Sequence, residues 1–404
     1  VRAVREDHAR RGLLFAGTET GVWVSLDDGA NWQPLQLNLP VAPIHDLVVK
    51  NDDLVVATHG RAFWILDDIS PLRQMSDDIA QADVHLFAPS TALRMRRSGG
   101  YQRDNFLGEN PPNGAILYFD LKRKQTDEYK LEILDAQGKV ARTYSSKEQV
   151  VEGKPLPERP GPPDRSNILP SEPGLARFVW NFRYDMPDFV PSVIWDMGAP
   201  GGPMALPGKY TARLAIGGQT YTQPFEVKLD PRVSTPLADL RKQFDFMVQV
   251  RDLLRDVHAG VLEIRSVRAQ MAALRKQLLM PALDSSAKPL LAAMEDLEKK
   301  LAPVEAELIE VRAKSSQDMC NYPTKLSSKV AWLDNVADSA DFLPTRQSYE
   351  LYGEFRRWAD KELAAWRSIR EKEVAALNAL AKKQNLPAVV IGYAPGDALR
   401  QFDE

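Results

Sequence analysis

The sequence predicts a multidomain chain of all-β propeller blades, then a β-sandwich, then an α-helical bundle. Three observations predict this. A stretch near the start recurs at an offset of 40 residues (13 to 53); the middle alternates apolar and polar positions between turn signals; and beyond 230 apolar residues return every three or four positions. A length of 404 residues suits several domains, and 44% hydrophobic with 26% charged residues is an ordinary globular composition. A net charge of −3 gives no electrostatic reason to bind nucleic acid, so no nucleic-acid partner is expected. No apolar run approaches the ~18 residues that argue for a membrane span. No signal peptide is visible, but the chain opens on Val1, so a fragment or processed product is expected. Cys320 is the only cysteine, which excludes an intrachain disulfide.

Residues 1–80 carry the repeat. "LLFAGTETGVWVSLDD" (13–28) aligns without gaps on "DLVVATHGRAFWILDD" (53–68): Leu14 with Leu54, Phe15 with Val55, Trp23 with Phe63, Asp27-Asp28 with Asp67-Asp68. Short β-rich runs at a period near 40 are the pattern of propeller blades, so 1–80 reads as the last two blades. Within the first, Ser25, Asp27, Gly29 and Trp32 form S-x-D-x-G-x-x-W across 25–32. Gly29 suits a turn with positive φ, the Ser25 and Asp27 side chains suit bonds to that turn's backbone, and Trp32 suits packing on the returning strand. The turns 18–20 and 58–61 put Glu19, His59 and Arg61 forward as candidate binding residues of one face. The blander reading, loop-to-loop salt bridges and a satisfied histidine, is the favoured one. No catalytic residues, cofactor or metal are assigned.

Residues 81–113 read as a linker, and 114–230 as a β-sandwich with strands near 115–122, 129–145, 174–185 and 208–229. Trp195 and Met197, in a Pro/Gly-rich insert, read as packing anchors. From 231 to 386 the spacing predicts an antiparallel helical bundle. Its first helix starts at Thr235 (N-cap) and Pro236 and runs to Pro281; further helices begin near Lys288, after Pro323, and at Thr345. Glu295, Glu298, Glu305, Glu307 and Glu310, interleaved with Lys299, Lys300 and Arg312, read as a solvated face. His258 lacks the E-x-x-H neighbours of a di-metal bundle. Residues 387–404 form a tail.

The 25–32 motif matches the Asp-box at all four positions. It resembles the Asp-boxes of sialidases and of sortilin-like BNR-repeat propellers, where the box is a structural hairpin staple away from the catalytic centre. "LEILDAQGKVART", "GLARFVWNFRYD" and "LPGKYTARLAIGGQTYTQPFEV" resemble the immunoglobulin-like domain of flagellar hook-capping proteins, which implies an immunoglobulin-like β-sandwich. As a whole the chain resembles large bacterial BNR-repeat, sortilin-like proteins often labelled glycosyl hydrolases. That resemblance implies a periplasmic or extracellular location and an upstream propeller segment of the same protein as partner. It implies a non-catalytic binding or scaffold protein that recognises a protein, peptide or glycan. The alternative is a sialidase-like glycoside hydrolase, whose arginine cluster, Tyr–Glu couple and acid Asp do not occur within 1–80 and would lie on upstream blades.

Overall fold

The computed structural model describes residues 1–96, 110–147, 167–186, 189–191, 193–195, 199–278 and 288–391. Met197, Pro281 and most of the expected tail fall outside them. The chain divides into two units. The first comprises Val1–Gln149, Asp164–Arg183 and Ala205–Ser234; the second comprises Val150–Pro163, Tyr184–Met204 and Thr235–Glu404.

The first unit begins with two small sheets. Strands β1 (Ala3–Glu6), β2 (Leu14–Gly17), β3 (Val22–Ser25) and β4 (Gln33–Pro34) form an antiparallel sheet in sequence order. Strands β5 (Ile44–Lys50), β6 (Asp53–Thr58) and β7 (Phe63–Leu66) form a second. Alternation sends Phe15, Val22 and Val24 of one, and Leu47, Leu54 and Val56 of the other, into a shared core with Leu13, Ile44 and Ile69. A short helix α1 (Ser70–Gln74) ties the strand ends together. Its Arg73 donates to Asp7 at 2.9 Å, to Asp52, and to the Asn51 carbonyl at 2.6 Å. Helix α2 (Asp77–Gln81) follows, with the Ser76 hydroxyl accepting from the Ile79 N–H.

The propeller blades expected over 1–80 are not found, and no closed propeller exists among the described residues. The 40-residue repeat is real, and among the described residues it gives two hairpin-based sheets packed on each other. Two sheets that bury one face each against the other form a layered pair, whereas a propeller closes with at least four blades. The gapless alignment is corrected as well. Gly17 pairs with Val22, but Ala57 pairs with Phe63, so the second turn is one residue longer and Trp64, not Phe63, stands where Trp23 does. The repeat regains its phase by Asp28 and Asp68, which share a left-handed backbone (φ 58° and 60°).

The rest of the first unit holds β8 (Val84–Leu86), β9 (Ala92–Arg94), β10 (Ala115–Leu121), β11 (Lys130–Leu134), β12 (Val140–Ser145), β13 (Gly174–Trp180), β14 (Gly208–Ile216) and β15 (Gln219–Leu229). They form a three-stranded sheet, β13-β10-β8, and a five-stranded sheet, β12-β11-β14-β15-β9. The immunoglobulin-like sandwich expected over 114–230 is thereby corrected. The larger sheet is mixed, because β9 runs parallel to β15, and β8 and β9 come from the stretch read as linker. A connector whose apolar residues alternate can add an edge strand wherever a neighbouring strand offers unpaired backbone groups. Trp180 sits among Phe182, Tyr210 and Phe225, with ring centroids 5.7, 5.0 and 6.0 Å away.

The second unit is helical, as the spacing predicts. It contains α3 (Leu237–Leu278), α4 (Lys288–Leu308), α5 (Leu326–Ala337), α6 (Arg346–Ile369), a π-helical turn at Arg370–Val374, and α7 (Ala375–Lys383). The α3 seam of Val250, Leu254, Val257, Val261, Ile264 and Val267 is buried against the other helices. Thr345 caps α6 by accepting from the Ser348 N–H. The Thr235 hydroxyl, just before α3, donates to the Asp341 carbonyl at 2.8 Å. Trp195 packs on the bundle core and meets Phe189 and His258. The expected solvated acidic face is corrected at two positions: Glu305 and Glu310 are buried. Arg265 and Arg268 of α3 reach Glu305, and Arg312 holds Glu310 at 2.8 Å.

Candidate functional site

The S-x-D-x-G-x-x-W stretch is a closed hydrogen-bond set. The Ser25 hydroxyl donates to Asp27 Oδ1 at 2.8 Å and accepts from the Gly29 N–H at 2.9 Å. Asp27 also accepts from the Asn31 N–H at 2.9 Å and from the Asn31 amide at 2.7 Å. Gly29 takes φ +87°, where a side chain would be strained. Half-buried Trp32 lies over Gly29 and near Leu14. The bonds from Asn31 and Ser25 hold the Asp27 carboxyl below its ordinary range. The Ser25 hydroxyl and both Asp27 carboxylate oxygens are used within the turn, so Ser25, Asp27 and Gly29, with Trp32 lying over them, shape the hairpin.

At the opposite ends of the strands, three loops are locked by backbone bonds. Ile44 N–H donates to the Thr18 carbonyl and His59 N–H to the Pro43 carbonyl, both at 2.8 Å. Gly17 permits this approach, since a Cβ there would sit 2.7 Å from Ile44 Cγ2. The lock gathers exposed polar side chains from distant positions. Arg2 donates to Glu19 Oε1 at 2.6 Å and lies 3.0 Å from His45 Nε2; the His45 ring stacks on His59 with centroids 5.0 Å apart. Glu19 and His59 are therefore joined through Arg2 and His45. Arg61 lies two residues along the same turn as His59. Its carbonyl accepts from Trp64 Nε1 at 2.9 Å, and its guanidinium has no ion pair among the described residues.

Arg2 and His45 carry no loop signature in the sequence. Arg2 precedes β1, and His45 lies in β5 at an irregularity between Ile44 and Asp46. Such bulges re-aim a side chain, and this one has no glycine or proline to announce it.

The Arg2 hydrogen bond holds the Glu19 carboxyl below its ordinary range. A depressed carboxylate keeps its partner down to acid pH, and the pair is lost as pH falls through the folded-state value. In an NMR titration the Glu19 carboxyl is expected to titrate below about 4.3, the unperturbed value, and Arg2→Ala to return it there. A Glu19 midpoint at or above the unperturbed value in the unaltered protein contradicts this.

In the second unit, buried His258 Nε2 lies 2.8 Å from the Ser327 hydroxyl, closed in by Phe189 and Trp195. A depression of about 530 Å³ is lined by Lys242, Leu343, Pro344, Arg346, Tyr349 and Glu350. Among the described residues no group of three or more His, Cys, Asp or Glu is placed to hold a metal ion. No helix among them is long and apolar enough to cross a membrane. No protein-family model matches this chain, and no curated protein or solved structure shows a significant match to it.

Proposed function

We propose that the protein is a non-catalytic binding or scaffold protein, acting outside the cytoplasm, and that the Arg2–Glu19–His45–His59 cluster with Arg61 receives a protein, peptide or glycan ligand. The observation that carries this reading is the convergence of exposed charged and imidazole groups from four separate chain positions on backbone-locked loops. Binding groups on loops held by a rigid scaffold are a common arrangement. Two guanidiniums against one carboxylate favour a ligand that carries a carboxylate.

The Arg2 hydrogen bond holds the Glu19 carboxyl low, so Glu19 itself does not suit the part of a glycosidase general acid, which needs its pKa raised. The test is an NMR titration with a Glu-containing tetrapeptide and, separately, sialyllactose, followed at the His45 and His59 rings. One of the two is expected to shift both rings, and Arg61→Ala to weaken that binding by about tenfold, as for loss of one charge-assisted contact. Absence of any ring shift with both probes at millimolar concentration sinks the proposal.

A further inference from the structure

The two N-terminal sheets pack front to back. The front of the first sheet is Phe15, Val22 and Val24, cross-strand neighbours on one face with Gly17, and it is covered by the back of the second: Leu47, Leu54, Val56 and Trp64. Through the repeat and the one-residue turn insertion, Phe15, Gly17, Val22 and Val24 correspond to Val55, Ala57, Phe63 and Ile65. These four share the front of the second sheet, together with Val48 opposite Val55. That front carries the same kind of apolar surface, with the aromatic ring moved from β2 to β7. It is uncovered: Phe63 is 76% exposed, Ile65 57% and Val48 48%.

The counterpart of the covered back is Val4, Leu14, Ala16 and Trp23 on the first sheet. None of these belongs to the shared core: Val4 is 46% exposed, Leu14 and Trp23 are half-buried, and the small Ala16 between them is 4% exposed. The sheet pair therefore ends on an open front at one side and, at the other, on a partly exposed back whose outermost residue is Val4. It already contains one working example of the contact between such surfaces.

A front-to-back contact is heterologous: each unit uses two different patches, and an unused pair can engage further copies. An apolar sheet face beside an open edge strand, β7, is also the kind of surface that recruits a second sheet. We propose that the front of β5–β7 docks the back of β1–β4 from a second copy of this chain, repeating between molecules the packing the chain makes within itself.

The test is sedimentation velocity of the full chain over a concentration series. The unaltered protein is expected to associate as concentration rises. Phe63→Glu, which spoils the front, and Val4→Glu, which spoils the back, are each expected to sediment as monomers. An equimolar mixture of the two variants retains one intact front and one intact back, and is expected to give a two-chain species and nothing larger. Both positions are exposed, so circular dichroism is expected to be unchanged; Ile65→Lys serves as the second front variant. A monomeric unaltered protein at several hundred micromolar, or a folded Phe63→Glu and Ile65→Lys pair that associates like it, overturns the proposal. So does a mixture of folded variants that stays monomeric.

Discussion

Trp180→Ala is expected to destabilise the first unit by about 3–5 kcal/mol, the usual range for truncating a buried Trp. Trp180 has no exposed surface, and its Nε1 donates to the Arg183 carbonyl at 3.0 Å. Its ring is the common neighbour of Phe182, Tyr210 and Phe225, so rings of β14 and β15 lose packing together. Truncation opens a cavity bounded by rings that cannot collapse into it without leaving their own contacts. Because the chain has two units, the loss is read locally, from hydrogen exchange of the β10, β13 and β14 amides. Trp332→Ala, 45% exposed on α5, is the control and is expected to change stability by under about 0.5 kcal/mol. A Trp180→Ala cost no larger than the control's would remove Trp180 from the centre of this core.

Glu305→Ala is expected to cost the helical unit about 2–4 kcal/mol. The Glu305 carboxylate is 3% exposed and takes Arg265 Nε at 2.7 Å and a second bond from Arg268. Removing it leaves two guanidiniums on α3 facing an uncharged gap, and breaking a buried pair from one side costs about 3–5 kcal/mol. The expected value sits lower because both arginines remain partly in water, and each keeps another partner: Arg265 the Pro191 carbonyl, Arg268 Glu298. Urea unfolding followed at the helical circular-dichroism band measures it. A change below about 0.5 kcal/mol would show that solvent already screens the cluster.

The helical half was the more legible in sequence because its signal is local. Apolar residues at three- and four-residue spacing on α3 fix which face is buried whatever the partner, and Thr345 marks the α6 start through its own turn. Glu305 was misread because interleaved charges look solvated as a string. Its position four residues after Leu301 and three before Leu308 places it on the buried stripe, and only the facing arginines explain how a carboxylate survives there. Arg94 shows the same limit: one of a run of basic residues in sequence, it is 2% exposed on β9.

In the β half, the repeat and the Asp27 turn were legible because both depend on neighbours within a few residues. The arrangement of the sheets was not, because a repeat names the unit and leaves its neighbours open. The candidate site was half visible. Glu19, His59 and Arg61 stand in turns, whereas Arg2 and His45, which join Glu19 to His59, come from strand positions whose proximity only the folded sheets create.

The π-helical turn at Arg370–Val374 acts as a phase adjuster. On α6 the buried positions Phe355, Ala359, Glu362 and Trp366 advance by four, three and four residues; the next is Val374, eight further on, followed by Leu377 and Ala381. One residue of an α-helix is about 100° of rotation. Without the widened turn, the buried stripe of α7 would point about a quarter-turn away from that of α6. The extra residue stored there lets one uninterrupted rod keep a single face toward α4 along its whole length, so the sequence accommodates a misfit in its apolar spacing without breaking the helix.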